Sequence, residues 1–311
     1  MIYTITPNPA LDRTLTVPAI VFDEMVRASE SQLDLDGKGV NVSKALRALG
    51  DETVIMGFAG GAAGAMLTQG LHALGFAADF TAVAGETRTN TIIIDAASRR
   101  YVKANEAGPQ ISPAELAALG RRVAERARPG DLWIMAGSLP PGAPAELYAR
   151  LIELVQAAGA RALLDSSGAP LRAGCAARPF LVKPNADEAA ELTGEAIDGD
   201  AAAVRAARVF LAQGIELVAL SMGAEGMLLA ARDALIRARP PQVRALNPVG
   251  AGDALMAGVA WALARGMAIE ELARWGVASG TAAAMHAGTG AATRAEVAAI
   301  YEQVRAERID A

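Results

Sequence analysis

Along this chain, short runs of apolar and β-branched residues alternate with segments whose apolar positions recur every three or four residues. Residues 2–6 are such a run and stop at Pro7, which has no N–H for a ladder, so they predict a strand. Residues 42–49 put Ala45, Leu46 and Leu49 on one face and are followed by Gly50, the pattern of a helix with a C-terminal stop. Further short apolar strands are predicted at 53–58, 131–136, 160–165, 180–183 and 216–221. Helical periodicity predicts helices over 62–74, 145–158, 187–192, 200–213, 251–264, 269–285 and 293–305. Another opens at Pro113 with a full start signal: Ser112 as cap, Glu115 closing a capping box, and Leu116, Leu119 and Val123 as the inner stripe.

Apolar strands interleaved with helices predict an α/β fold, a mostly parallel sheet covered on both faces. Two pieces break the rhythm. Residues 15–20 with 28–34, and 89–95 with 100–103, alternate polar and apolar side chains and read as antiparallel strands or hairpins, with Ala96-Ala97-Ser98 as a turn. A small β appendage is therefore expected, its strands inserted at about 13–35 and 88–105 of a single domain covering residues 1–311. The sequence contains no linker rich in Pro, Ser or charge, and no internal repeat.

Composition narrows the function. Of 311 residues, 52% are apolar and 20% charged, enough for a sizeable core and too ordered a mixture for disorder. The net charge of −5 argues against nucleic acid or an anionic membrane as the main partner. The one cysteine, Cys175, cannot make an internal disulfide, fits a reducing cytoplasm, and is expected to be an inert thiol. Two histidines, His72 and His286, are too few for a His-rich metal site and are expected to pack against the core. The N-terminus lacks a basic segment and a long apolar run, so no secretory signal is expected. The uncharged runs 57–78 and 276–293 are interrupted by Gly, Ser, Thr and His and are read as core helices of a soluble protein, not as membrane spans.

Glycine-rich turns sit where an α/β sheet collects ligands, at the carboxyl ends of strands. They are Asp36-Gly37-Lys38-Gly39, Gly137-Ser138-Leu139-Pro140, Ser221-Met222-Gly223-Ala224-Glu225-Gly226 and Pro248-Val249-Gly250-Ala251-Gly252-Asp253. Turns need glycine in any case, so one alone says little. The last is more telling, because a long helix starts directly after it. Free N–H groups and the positive end of the helix dipole favour phosphate oxygens there. Asp253 in that first turn could merely complement the dipole. Beside a phosphate it would repel, unless it takes a proton from an attacking hydroxyl. The chain has no P-loop (GxxxxGKS or GxxxxGKT), no GxGxxG fingerprint and no GxSxG elbow.

Asn247-Pro248-Val249-Gly250-Ala251-Gly252-Asp253-Ala254, with Gly258 on the same helix, resembles the C-terminal signature of the ribokinase-like (PfkB) carbohydrate kinases. Gly37-Lys38-Gly39-Val40-Asn41-Val42-Ser43-Lys44-Ala45-Leu46 resembles their N-terminal signature. Thr6-Pro7-Asn8-Pro9-Ala10-Leu11-Asp12, Gly137-Ser138-Leu139-Pro140, Lys183-Pro184-Asn185-Ala186-Asp187-Glu188 and the Ser221–Gly226 turn match in the same order, so the resemblance spans residues 1 to about 307. The opening Asn-Pro-Ala-Leu-Asp and the Gly-Lys-Gly turn are similar to the 1-phosphofructokinase and tagatose-6-phosphate kinase branch.

The resemblance implies a three-layer ribokinase-like fold with a β-sheet lid, and it implies roles. Asp253 would be the catalytic base, with Gly250, Ala251 and Gly252 as the anion hole for the migrating phosphoryl group. Asp12 would hold sugar hydroxyls, with Gly37, Gly39 and Asn41 lining the sugar pocket. Lys38, Arg88, Lys103 and Arg27 are candidates for the phosphate already on the substrate, and Ser138 for the sugar or its phosphate. Lys183, Asn185, Glu188, Ser221, Gly223, Gly226 and Ser279 would face ATP, with the stretch 279–288 walling the adenine and Glu188 ordering Mg²⁺ through water. A homodimer paired through the lid is also implied.

Plainer readings stand beside some of these. Asn185 with Glu188 is also a capping box, Lys38 could be a solvated turn residue, and Arg88 an exposed edge-strand charge. Asp165 ends a strand and is either structural or near the site; it is given no role. Asp36 stands where the family usually has Gly, and would weaken phosphate binding or pair with Lys38. Ala254 and Met222, where Ser and Leu are common, leave the chemistry intact. The expected reaction is phosphorylation of fructose 1-phosphate, with tagatose 6-phosphate or fructose 6-phosphate as alternative acceptors. A non-catalytic sugar-phosphate sensor is the alternative of another class.

Overall fold

The computed structural model describes residues 1–286 and 291–309. The chain opens with β1 (Ile2–Thr6), β2 (Ala10–Val17), β3 (Glu30–Asp36), α1 (Lys38–Ala48), β4 (Thr53–Ala59), α2 (Gly61–Ala73) and β5 (Ala77–Ala82). It continues with β6 (Arg88–Asp95), β7 (Tyr101–Ala104), α3 (Pro113–Arg126), β8 (Leu132–Ala136), α4 (Leu147–Ala157), β9 (Arg161–Asp165), α5 (Gly168–Ala176) and β10 (Leu181–Val182). The remainder is α6 (Ala186–Thr193), α7 (Asp200–Ala212), β11 (Leu217–Ser221), a 3₁₀ turn at Gly223–Glu225, β12 (Met227–Ala230), β13 (Leu235–Arg239), α8 (Ala251–Ala264), α9 (Ile269–Ala284), α10 (Arg294–Tyr301) and β14 (Arg305–Arg308).

Ten strands form one sheet in the order β14-β13-β12-β11-β10-β9-β8-β1-β4-β5. From β11 to β5 every pairing is parallel, and β12, β13 and β14 add an antiparallel edge. Both faces are buried, as the apolar strands require. Within β8, Trp133 and Met135 point into the core under α3 to α7, while Leu132 and Ile134 point into the core under α1, α8, α9 and α10. Tyr3 stacks on Trp133 with ring centroids 4.0 Å apart. The expected α/β sheet with helices on both faces is thus present.

The appendage is a four-stranded sheet, β3-β2-β6-β7. Its outer pairings are antiparallel, as expected, but β2 and β6 run parallel, so it is two hairpins side by side. The helix expected at 42–49 begins four residues earlier, at Lys38. Gly39 lies in its first turn, where a Cβ would sit 2.4 Å from Thr6 Oγ1; this glycine serves close packing on β1. The uncharged run at 57–78 does not yield a buried helix. Only Gly64, Leu67 and Leu71 of α2 are buried, and Met66 and Leu74 are about half exposed. The helix expected over 293–305 ends at Tyr301, and β14 follows on the sheet edge. Val297, Ile300 and Val304 keep helical spacing across that break, which hides it in the sequence. Strands β5, β12 and β13 and helix α5 are likewise additions to the expected elements.

Helix α8 is buried at every residue from Asp253 to Ala262. A helix apolar all round belongs in a core. Small residues let α9 lie against it: a Cβ on Gly258 would fall 2.3 Å from the Trp275 carbonyl oxygen and 2.5 Å from Ser279 Oγ. Gly258→Ala should therefore destabilise the fold. Overpacking of about 1–3 kcal/mol exceeds the roughly 1 kcal/mol gained in helix propensity. A urea midpoint equal to or above that of the parent chain would refute this packing.

Candidate active site

Carboxyl ends of the central parallel strands meet the N-termini of α1 and α8 in one place. Helix α1 starts after Gly37, held at φ 141, where a Cβ would meet Thr6 Cγ2 at 2.7 Å. Helix α8 starts after Gly250, held in the left-handed region at φ 82. Between them lies Asp165, the last residue of β9 and completely buried. Its Oδ1 accepts from Lys38 Nζ at 2.8 Å, and its Oδ2 pairs with Lys183 Nζ at 3.1 Å. Burial alone would raise the Asp165 pKa, but Lys183 and then Lys38 overcome that and hold it below its ordinary value. Burial would lower Lys38; Asp165 and Asp253 more than reverse it and keep the ammonium charged.

Asp253 is 7% exposed and lies in the first turn of α8. Its Oδ2 accepts from Asn41 Nδ2 at 3.1 Å. Burial, then the nearby charge of Asp165, raises its pKa to about 7, against the pull of Lys38, Asn41 and Lys183. Lys183 reaches under the turn between Gly250 and Asp253, since a Cβ on Gly252 would be 3.6 Å from its Nζ. The result is a proton acceptor poised near neutrality beside the N-terminal turn of a helix and two fixed cations, an arrangement suited to general-base work next to an anion.

The small sheet closes the other side. Asp12 is opposite Asn90 in the β2–β6 register, accepts from Asn90 Nδ2 at 2.7 Å and pairs with Lys103 of β7 at 3.3 Å. Burial and then Asp36 raise its pKa, opposed by Asn90 and Lys103. Arg88 opens β6, and burial lowers its pKa. It borders a cavity of about 530 Å³ lined also by Asn8, Ser138, Pro140 and Pro170. Several buried polar atoms have no hydrogen-bond partner within the chain, among them Thr6 Oγ1, Asn41 Oδ1, Asn90 Oδ1 and Arg88 Nε. Buried polar groups are rarely left so.

Asn185 and Glu188 form the capping box of α6, with Asn185 N to Glu188 Oε2 at 2.9 Å and Glu188 N to Asn185 Oδ1 at 2.8 Å. Ser221 bridges to Asn185 at the end of β11, and Gly223 and Gly226 follow with φ 56 and 90. Among the described residues no three His, Cys, Asp or Glu side chains come together as a metal cage.

Other expected residues are placed differently. Lys38 lies in the first turn of α1, its side chain partly exposed and its ammonium held by Asp165, and Asp36 does not pair with it; Asp36 accepts from Asn41 Nδ2 at 2.7 Å instead. Ser279 is buried on α9, where it faces Gly258 of α8. Residues 287 and 288 of the expected adenine wall lie outside the described residues. Arg27 is exposed on the connection between β2 and β3. His72 lies on the surface of α2, with Nε2 2.9 Å from the Ala78 carbonyl oxygen, and His286 pairs with Glu296 at 3.3 Å, so neither is packed in the core. Cys175 is buried, and burial pushes its thiol up to about 12. Sequence reasoning passed over Asp165; its place at a strand end was the available signal.

The pattern of the pfkB family of carbohydrate kinases matches residues 8–296. The chain is 38% identical to the 1-phosphofructokinase of Xanthomonas campestris pv. campestris over 264 residues, 84% of this chain and 83% of that one. It is 29% identical to the tagatose-6-phosphate kinase of Staphylococcus epidermidis, covering 98% of each chain. Among solved structures it is similar to phosphofructokinase-2 from Escherichia coli in complex with potassium, with a TM-score of 0.93, 30% identity, and 97% and 98% of the two chains covered. No helix among the described residues is long and apolar enough to cross a membrane.

Asp253 titrates near 7 in the folded chain against an ordinary value of 3.8. Folding thus takes up a proton between those values. The stability tied to it is full below about pH 4 and is lost as pH rises through about 7, at roughly 1.4 kcal/mol per pH unit inside that window. Asp253→Asn should melt above the parent chain at pH 8, with the gap shrinking towards pH 5. Scanning fluorimetry checks this, and a gap independent of pH would contradict it.

Proposed function

The chain belongs to the pfkB family of carbohydrate kinases and is a phosphotransferase, and from that premise we propose that it transfers the γ-phosphoryl group of ATP to fructose 1-phosphate. The products are fructose 1,6-bisphosphate and ADP. The greater identity to a 1-phosphofructokinase (38%) than to a tagatose-6-phosphate kinase (29%) supports this acceptor.

The observation that carries the reading is the buried Asp253 carboxylate at the start of α8, with a pKa near 7. Asp253 takes the proton of the free primary hydroxyl as that oxygen bonds to the γ-phosphorus. The bond from phosphorus to the β,γ-bridging oxygen breaks, its electron pair leaves with ADP, and Asp253 later releases the proton to solvent. Amides at Gly250, Ala251 and Gly252 hold the oxygens of the migrating group. Helix-end stabilisation alone supplies up to ~2 kcal/mol, so the fixed charges of Lys38 and Lys183 add to it. Asp12, Asn41 and Asn90, with Gly37 and Gly39, hold the sugar; Arg88, Lys103 and Ser138 face its existing phosphate, with Arg27 reaching in from a partner subunit or a moved loop. Asn185, Glu188, Ser221, Gly223 and Gly226 border the nucleotide.

The hard carboxylate oxygens of Glu188, at the start of α6, fit a magnesium ion that would keep most of its waters and arrive with the nucleotide phosphates, with Glu188 as its protein contact through water. When bound, the ion neutralises charge on those phosphates. The small sheet acts as the lid that keeps water from the donor. The single buried cysteine supports a cytoplasmic setting.

Steady-state assays with fructose 1-phosphate, tagatose 6-phosphate and fructose 6-phosphate at matched concentrations test the acceptor. Fructose 1-phosphate should give the highest kcat/KM, falling below about pH 7 as Asp253 protonates, and Asp253→Asn should lose at least about a thousandfold in kcat. Equal, negligible turnover of all three sugars would reject the assignment. A sugar-phosphate sensor would bind without turnover.

The lid also carries a candidate subunit contact. On the connection from β2 to β3, Phe22 and Met25 are 83% and 84% exposed, and Tyr101 of β7 is 68% exposed. Large apolar side chains left exposed on one small sheet and its connection are candidates for an interaction surface, which supports a homodimer paired through this sheet. Substituting Phe22→Asp with Met25→Asp should convert a dimer to a monomer in sedimentation velocity. A parent chain that sediments as a monomer at micromolar concentration would overturn the proposal.

A further inference from the structure

Asp36 is the last residue of β3 and stands opposite Ala10 of β2. Helix α1 grips this strand end with two side chains one turn apart. Lys44 Nζ donates to the Leu35 carbonyl oxygen at 2.6 Å, and Asn41 Nδ2 donates to Asp36 Oδ1 at 2.7 Å. The same Asn41 nitrogen donates to Asp253 Oδ2. One amide therefore spans two carboxylates, one on the small sheet and one on the core helix α8. Its orientation is forced: turned over, its own oxygen would face both anions. Asn41 Oδ1 is left buried and without a partner in the chain, an acceptor for a hydroxyl proton.

We propose that Asp36 is a positioning residue, whose hydrogen bond fixes the Asn41 carboxamide between the small sheet and Asp253 and so presents Asn41 Oδ1 to the acceptor sugar. This rests on the reading of Asp253 as the base of a sugar kinase. Without Asp36 the amide keeps one anchor of two and swings about it, so sugar binding weakens while the nucleotide site is untouched. The charges around the pair are Asp12, Lys44 and Arg88 near Asp36, and Lys38, Asp165 and Lys183 near Asp253. Removing the Asp36 charge acts on all of them equally in any neutral variant. The test therefore compares two neutral side chains.

Asp36→Ala loses charge and hydrogen bond together; Asp36→Asn loses the charge but keeps an oxygen that accepts from Asn41. For whichever of the three phosphosugars the parent chain turns over, Asp36→Ala should raise the sugar KM about tenfold with the ATP KM within twofold, and Asp36→Asn should bring the sugar KM back to within about threefold of the parent. Equal impairment in both variants, no impairment in either, or an ATP KM rising in step would overturn the proposal. A second readout needs no turnover. The Asn41 side-chain amide, assigned in ¹⁵N spectra by its loss in Asn41→Ala, should exchange faster with solvent in Asp36→Ala than in Asp36→Asn, and an unchanged rate would overturn the proposal. Asp253→Asn, run alongside, separates the two failures: retained turnover there defeats the kinase mechanism, whereas the Asp36 comparison stands or falls on its own amide signal.

Discussion

Asp165 is a carboxylate with no access to water, and the site depends on how its charge is balanced. An ion taken out of water costs several kcal/mol even after relaxation, so a buried anion persists only with close partners. Lys38 and Lys183 supply them from two different elements, α1 and the segment after β10. Each lysine is thereby held by one oxygen of the same group. The pair also acts on Asp253, because Asp165 raises its pKa while the two lysines lower it. The Asp253 pKa near 7 is the resultant of that opposition, with burial as the largest contribution.

The fold exists to bring those elements to one point. Strands β9, β10 and β11 end side by side because they are neighbours in the parallel sheet. Helices α1 and α8 enter from the same face; Gly37 and Gly39 press the start of α1 on the end of β1, and Gly258, two turns into α8, lets that helix lie against α9. Close approach of backbones is what these glycines contribute, more than turn geometry. The small sheet adds Asp12 and Asn90 in register on β2 and β6, and Lys103 of β7, which stands opposite Ile92 and reaches Asp12 with its ammonium, so its two hairpins act as one surface.

Much of this was legible in the chain and some was not, for reasons of range. Helix α8 was readable to the residue, and the capping boxes of α3 and α6 were visible because both partners lie within one turn. The Lys38–Asp165 contact joins residues 127 apart, and no local pattern announces it. Asp165 looked like any acidic residue closing a strand. Asp36 was read against Lys38, its neighbour in sequence, but a helix turns Lys38 away and brings Asn41 round instead. Strand β14 was hidden because Val304 continues the spacing of Val297 and Ile300. The parallel pairing of β2 with β6 needed the third dimension, since alternation looks the same in either direction.

Pairing the lysines beforehand has a consequence for the chemistry. A free lysine would have to be ordered, and its water removed, at the moment a phosphate arrives. Lys38 and Lys183 are already oriented by Asp165, and Lys183 is nearly devoid of solvent contact. Preorganised charge of this kind acts without reorganisation during the reaction. The pairing also limits its strength, because each ammonium is half neutralised by the carboxylate beneath it. An incoming anion would therefore meet a modest net positive charge rather than two bare cations, which under the proposed reaction suits a group that enters the site and leaves it.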